Sequence, residues 1–176
     1  MAAETYDKLS MAGKVAVVTG GTQGLGEAIA HLFADRGVEG LVICGRNKDN
    51  GARVKSSLEA KGARTVYVRA DLASVEDCRK VIAETDRAFG GVDVLVNAAA
   101  ITDRGTIWDT EPKLFDAMFA VNVRAPFFLM QDAAKLMKRE NRNGTMVNII
   151  SMSGHGGQTF ITAYCASKGA LITLTK

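Results

Sequence analysis

Residues 15–26 read Val-Ala-Val-Val-Thr-Gly-Gly-Thr-Gln-Gly-Leu-Gly, a β-branched run that breaks into four glycines and leads into Glu27-Ala28-Ile29-Ala30-His31-Leu32. The run carries a strand signal and the stretch after it a helical one, so the glycines occupy a strand-to-helix turn. Gly20 permits a sharp exit from the strand, Gly24 lets backbone approach a pyrophosphate, and Gly26 lets the helix pack closely on a sheet. N–H groups at the helix start would face the phosphates, with Thr22, Gln23 and Leu25 in the same turn. A glycine-rich loop that merely turns is the plainer alternative; its place between first strand and first helix favours a dinucleotide turn.

Four further short runs, at 41–44, 65–68, 92–96 and 145–150, are apolar on both faces and read as buried parallel strands. Helical stripes lie between them, Leu25, Ala28, Ile29 and Leu32 forming one and Val75, Cys78, Val81 and Ile82 another. The alternation predicts an α/β domain with helices on both faces of the sheet. Residues 111–138 suit one extended or two broken helices, with Pro126 permitting a bend.

Composition removes several classes. The 176 residues are 47% hydrophobic, and 22 Lys+Arg balance 19 Asp+Glu, which gives no electrostatic reason to expect nucleic acid or an anionic membrane as partner. No apolar run approaches the ~20 residues that cross a bilayer. Residues 1–14 lack a secretory apolar core, and a cytoplasmic location is expected. Cys44, Cys78 and Cys165, with only His31 and His155, form neither a disulfide framework nor a metal-ligand set. Residues 1–13 read as an N-terminal tail and 14–176 as one dinucleotide-binding and catalytic domain. The last helical pattern reaches Lys176 without a Gly cap or Pro, so the chain is expected to be incomplete at its C-terminus.

Where a NAD-binding fold places an acid on the ribose 2′-hydroxyl, this chain has Gly45-Arg46-Asn47. A guanidinium without a competing carboxylate favours NADP(H), although NAD remains open if Arg46 is only a solvated charge. Asp71 could accept from the adenine amino group or cap the following helix.

Thr19-Gly20-x-x-x-Gly24-x-Gly26, Tyr164-x-x-x-Lys168 and Ser151 thirteen residues before the tyrosine together resemble the short-chain dehydrogenase/reductase family. The resemblance runs from about Lys14 to Lys176 and includes Asp71-Leu72, Asn97 and Asn122. It implies a doubly wound Rossmann fold with strand order 3-2-1-4-5, a catalytic tetrad of Asn122, Ser151, Tyr164 and Lys168, and cofactor contacts from Asn97, Ala98, Ala99, Tyr164 and Lys168. It also implies a homodimer or homotetramer built through the helices at about 111–138 and 162–176. Two departures stand out. Asn97-Ala98-Ala99-Ala100 replaces the usual Asn-Asn-Ala-Gly, and the two further strands, substrate lid and nicotinamide-amide contacts common in the family have no counterpart in this sequence.

The residue types suit hydride transfer between a secondary alcohol and a ketone, with a small alcohol or carbonyl compound as substrate. Such a reaction needs one group that accepts the hydroxyl proton in one direction and returns it in the other. A free phenol, with a pKa of about 10, is too weak a base near neutral pH unless a cation favours the phenolate. Lys168 lies one helical turn from Tyr164, and charges about 5 Å apart attract by roughly 0.8 kcal/mol in water but roughly 3 kcal/mol at an effective dielectric of 20. The pair is therefore useful only where water is excluded. Ser151, just after a strand, could hold the substrate oxygen or simply begin a turn. Asn122 could sit in a kinked helix that holds a water for proton relay to Lys168, or be a satisfied buried amide. His155 has no assigned role, His31 is expected to be solvated, and Cys165 reads as a small core residue. Trp108, Phe115, Phe119, Phe127 and Phe128 are expected to pack helices against the sheet or a second subunit. The alternative from another class is a non-catalytic nucleotide-binding or assembly protein.

Overall fold

The structure, a computed structural model, describes residues 9–102 and 104–176, so residues 1–8 of the expected N-terminal tail lie outside it. Five parallel strands, β1 (Val15–Thr19), β2 (Gly40–Gly45), β3 (Arg64–Arg69), β4 (Val94–Asn97) and β5 (Thr145–Asn148), form one sheet in the order β3-β2-β1-β4-β5. The chain moves outward from β1 to β3 and then returns to the far side of β1. That reversal opens a crevice beyond the paired ends of β1 and β4, where Thr19 lies opposite Asn97.

Alternate residues of β1 feed two cores. Val17 packs with Leu95, Val81 and Leu129 beneath α3 (Val75–Phe89) and α5 (Ala125–Arg139), while Ala16 and Val18 pack with Ile43, Val54 and Ala30 beneath α1 (Gly24–Asp35) and α2 (Lys48–Glu59). Double coverage explains the unbroken apolar runs of the central strands. The edge strands differ from the expectation of two buried faces: β3 and β5 each leave positions exposed, Val147 among them. β5 also stops at Asn148, short of the expected 150, although the Ile149 N–H still bonds the Asn97 carbonyl at 3.0 Å.

Helix α1 overturns its predicted stripe. Its buried positions are Gly26, Ala30 and Ala34, whereas Leu25 and Leu32 are more than half exposed. Small residues at i, i+4 and i+8 bring the helix axis close to the sheet, and the large side chains are left on the outer side.

The 111–138 segment is α4 (Pro112–Phe119), a π-helical turn over Ala120–Arg124, and α5. The irregularity precedes Pro126. Because Pro126 brings no N–H to the Asn122 carbonyl, a regular ladder cannot continue there, and the Ala125 N–H reaches back to Ala120 instead.

At the opposite, N-terminal end of the strands the buried Asp93 accepts from the Val15 N–H at 2.8 Å and from Arg142 Nη1 at 2.7 Å. Asp93→Ala should lower unfolding stability by about 2–3 kcal/mol, since it strands a buried donor and removes a charged acceptor. Urea titration of both proteins reads this directly.

Candidate functional site

A cleft of about 510 Å³ opens at the crevice. Its walls include Gly20, Thr22, Gln23, Gly24, Leu25 and Gly26 from the first turn, Arg46 and Asn47 after β2, Asp71 and Leu72 after β3, and Ala98 and Ala99 after β4. Cys44, Gly45, Ala70, Ala100, Ile101 and Val121 complete it. Twelve residues singled out in the sequence thus converge; Asn97, Tyr164 and Lys168 are not in its lining.

The cradle depends on absent side chains. Gly20 has φ +66°, and a Cβ there would stand 2.9 Å from Ala99 Cα. Gly24, at φ +54°, faces open space, whereas a Cβ on Gly26 would lie 2.4 Å from the Gly20 carbonyl oxygen. Thr19 Oγ1 accepts from the N–H groups of Ala98 and Ala99, both at 3.1 Å, and draws that loop against the glycine turn. Gln23 gives no side-chain cap to α1, so the leading N–H groups remain available at the cleft. A backbone surface with free helix-start donors suits a pyrophosphate, and the donor set fits a dinucleotide.

Several side chains have narrower duties than expected. Thr22 is buried, and a Cβ on Gly45 would meet its Oγ1 at 2.4 Å. Asn47 Oδ1 caps α2 by accepting from the Asn50 N–H at 2.9 Å. Asp71 does not cap the next helix: its Oδ1 closes a local turn with the Ala73 N–H, and Ser74 caps α3. Asn97 is buried behind the wall, where its Nδ2 donates to Asn148 and its Oδ1 has no partner.

Helix α7 (Thr162–Thr175) carries Tyr164 and Lys168 on one face. Lys168 is 3% exposed; its Nζ lies 5.8 Å from the Tyr164 ring centre and donates to the Ile149 carbonyl at 2.6 Å. Burial lowers the Lys168 pKa below the ordinary lysine value. Asn122, fully buried in the π turn, accepts from the Ile101 N–H and donates to the Ile101 carbonyl, each at 2.9 Å, and also donates to Ser167 Oγ at 3.0 Å. Its side chain is a satisfied amide that fastens the cleft wall to α7. Ser151 pairs with Ser153, Oγ to Oγ at 2.8 Å, in the turn entering α6 (Ser153–Gly156). Ser153, buried and two residues on, was missed in the sequence; the Ser-x-Ser spacing is the only signal for it.

Other expectations change or stand. His31 is half-buried between α1 and α2, with Nε2 3.4 Å from Ser57 Oγ, because the helices meet over it. His155 is exposed and Cys165 buried. Phe128 packs on the core and Phe115 stacks on Phe119 at 4.6 Å, but Trp108 is 94% exposed. Its turn closes on itself through Asp109, which accepts from both the N–H and hydroxyl of Thr106, and the indole is left outside.

A larger groove, about 1040 Å³, runs between α4, the π turn and α7. It is lined by Phe119, Val123, Phe127 and Leu174 with Asp116, Arg124 and Thr173, and its walls are mostly apolar.

The sequence profile of the short chain dehydrogenases matches residues 14–176. The chain is 32% identical over 163 residues to galactitol 2-dehydrogenase of Agrobacterium fabrum, covering 93% of this chain and 62% of that protein. Its fold is similar to a short chain dehydrogenase/reductase from Burkholderia phymatum in complex with NAD (TM-score 0.90, 31% identity, 94% of this chain and 59% of that one). It is also similar to a short chain dehydrogenase from Burkholderia cenocepacia J2315 in complex with NADP (TM-score 0.87, 34% identity, 94% and 66%). The chain spans about 62–65% of the length of the first curated relatives it matches.

Proposed function

The chain belongs to the short chain dehydrogenase family, and on that premise we propose that it is the nucleotide-binding and catalytic part of an oxidoreductase interconverting a secondary alcohol and a ketone with NADP(H). The observation that carries this reading is the buried Lys168 ammonium, fixed by the Ile149 carbonyl beside Tyr164 on a helix whose Ser167 is tied through Asn122 to Ile101 of the cleft wall. Such an arrangement costs burial of a charge, and a cation fixed beside a phenol suits a site where a proton moves at that phenol.

Gly20, Gly24 and Gly26 would hold the pyrophosphate and Arg46 the adenosine end. Hydride chemistry would be supplied by the nicotinamide once it is bound. Tyr164 Oη returns or removes the proton at the substrate oxygen. Lys168 supplies positive charge beside it without a competing carboxylate. Ser151, oriented by Ser153, donates to the same substrate oxygen. The side chain of Asn122 is fully engaged, so its part is to hold the π turn and Ile101 in place.

Arg46 is exposed at the cleft rim with no acid at the preceding position, which supports NADP over NAD. NADPH should bind at least tenfold more tightly than NADH, and Arg46→Ala should erase the difference. Fluorescence titration of both cofactors tests the assignment; equal affinities in the unaltered protein would reject it. The apolar groove along α4 and α7 supports a homodimer or homotetramer, since an exposed apolar face carrying both Asp116 and Arg124 suits a self-complementary contact across a two-fold axis. Sedimentation of the whole protein measures this.

A further inference from the structure

The turn after β2 is held in an unusual way from the neighbouring strand. Tyr67, on β3, places its hydroxyl 2.9 Å from the Gly45 carbonyl and 3.1 Å from the Asn47 carbonyl. A single phenolic proton is therefore shared between the two carbonyls that flank Arg46. The carbonyl of Arg46 itself accepts from Arg69 Nε at 3.2 Å. Three successive carbonyl oxygens of one turn are thus engaged by two side chains of β3.

The ring of Tyr67 is seated as firmly as its hydroxyl. A Cβ on Gly51, in the first turns of α2, would lie 2.3–2.5 Å from the ring carbons, so the ring rests directly on that glycine. Burial raises the Tyr67 pKa above the ordinary phenol value, which keeps the donor protonated.

We propose that Tyr67, assisted by Arg69, is the positioning residue that fixes the Arg46 turn and thereby sets the preference for a ligand bearing a 2′-phosphate on its adenosine ribose. The inference rests on the reading that Arg46 meets that phosphate. Its physical basis is entropic. An arginine on an exposed turn must surrender both backbone and side-chain freedom to grip an anion. A guanidinium grips well only when its fork arrives at a fixed angle. With the carbonyls on either side of Arg46 tied to one hydroxyl, the backbone part of that cost is met before the ligand arrives. The contribution falls mainly on the 2′-phosphate, because the hydrogen bonds of the clamp go to the carbonyls of Gly45, Arg46 and Asn47, whereas the glycines of the pyrophosphate cradle follow β1.

The probes are adenosine 2′,5′-bisphosphate and 5′-AMP, which differ only in the 2′-phosphate, titrated calorimetrically into the chain and its variants. Tyr67→Phe keeps the ring on Gly51 and removes the hydroxyl. It should weaken the bisphosphate about fivefold to tenfold and leave 5′-AMP within twofold, with faster amide exchange over residues 46–50. Arg69→Met, a change at an exposed position, should give a smaller loss of the same kind and serves if Tyr67→Phe does not fold. A general loss of stability would weaken both ligands together and would overturn the proposal. Retention of the bisphosphate preference in both folded variants would overturn the clamp while leaving the role of Arg46 intact. If the unaltered chain shows no preference, the reading of Arg46 fails and the inference falls with it.

Discussion

Tyr164→Phe, made in the whole enzyme, is expected to reduce turnover by about 10²–10⁴-fold while changing the NADPH dissociation constant by no more than about threefold. The substitution removes one oxygen from a half-buried ring and leaves the ring packing against α7's surroundings unaltered. On the proposed mechanism what is lost is a proton donor and acceptor acting in the transition state, so the effect is expected in kcat. Lys168→Ala differs, because its ammonium also ties α7 to the Ile149 carbonyl two residues before Ser151. That variant should lose turnover and cofactor affinity together. Steady-state kinetics with a cofactor titration separate the two patterns, and substantial turnover by Tyr164→Phe would remove the phenol from the mechanism.

Gly26→Val should be the most damaging change in the cleft. Any Cβ at this position meets the oxygen of Gly20 at 2.4 Å and its carbonyl carbon at 2.7 Å, which are backbone atoms that cannot swing aside. Helix α1 must withdraw from the sheet or the glycine turn must open. We expect a stability loss of about 3 kcal/mol or more, a melting temperature lower by about 6–12 °C, and NADPH affinity reduced at least about 100-fold. Gly24→Ala supplies the contrast. That position has positive φ but no atom within 4 Å of a Cβ, so only left-handed backbone strain of about 1–2 kcal/mol is added. Thermal melts of the two variants should differ clearly; similar melts would mean that α1 is free to shift.

The alternation of strands and helices and the glycine turn were legible because both are local patterns: β1 is a β-branched run with coverage on both faces, and Gly20, Gly24 and Gly26 stand at fixed intervals after it, whereas the strand order pairs β1 with the distant β4 and was implied only by the family resemblance. That Tyr164 and Lys168 share one face was legible for a similar reason, four residues being about one turn of helix, while the family resemblance is what drew them out as a pair. The buried face of α1 was misread because hydropathy ranks Leu25 and Leu32 above Gly26 and Ala30, whereas a close helix–sheet approach rewards small size. Pro126 marked an interruption but not its form, since a missing donor can be met by a bend or by a shifted ladder. Ser153 had only its Ser-x-Ser spacing to mark it, and the contacts of Thr19 and of Tyr67 and Arg69 cross between strands, where no short-range spacing announces them.

The small-residue seam of α1 also inverts the usual map of mutational tolerance. In saturation mutagenesis scored for folded protein, Leu32 should accept lysine or glutamine freely, because its side chain already meets solvent. Ala30 and Ala34, both buried, should reject leucine although that change raises hydrophobicity. An engineer seeking greater solubility would therefore find room on the most apolar-looking side of this helix, and none on the side that the sequence makes look indifferent.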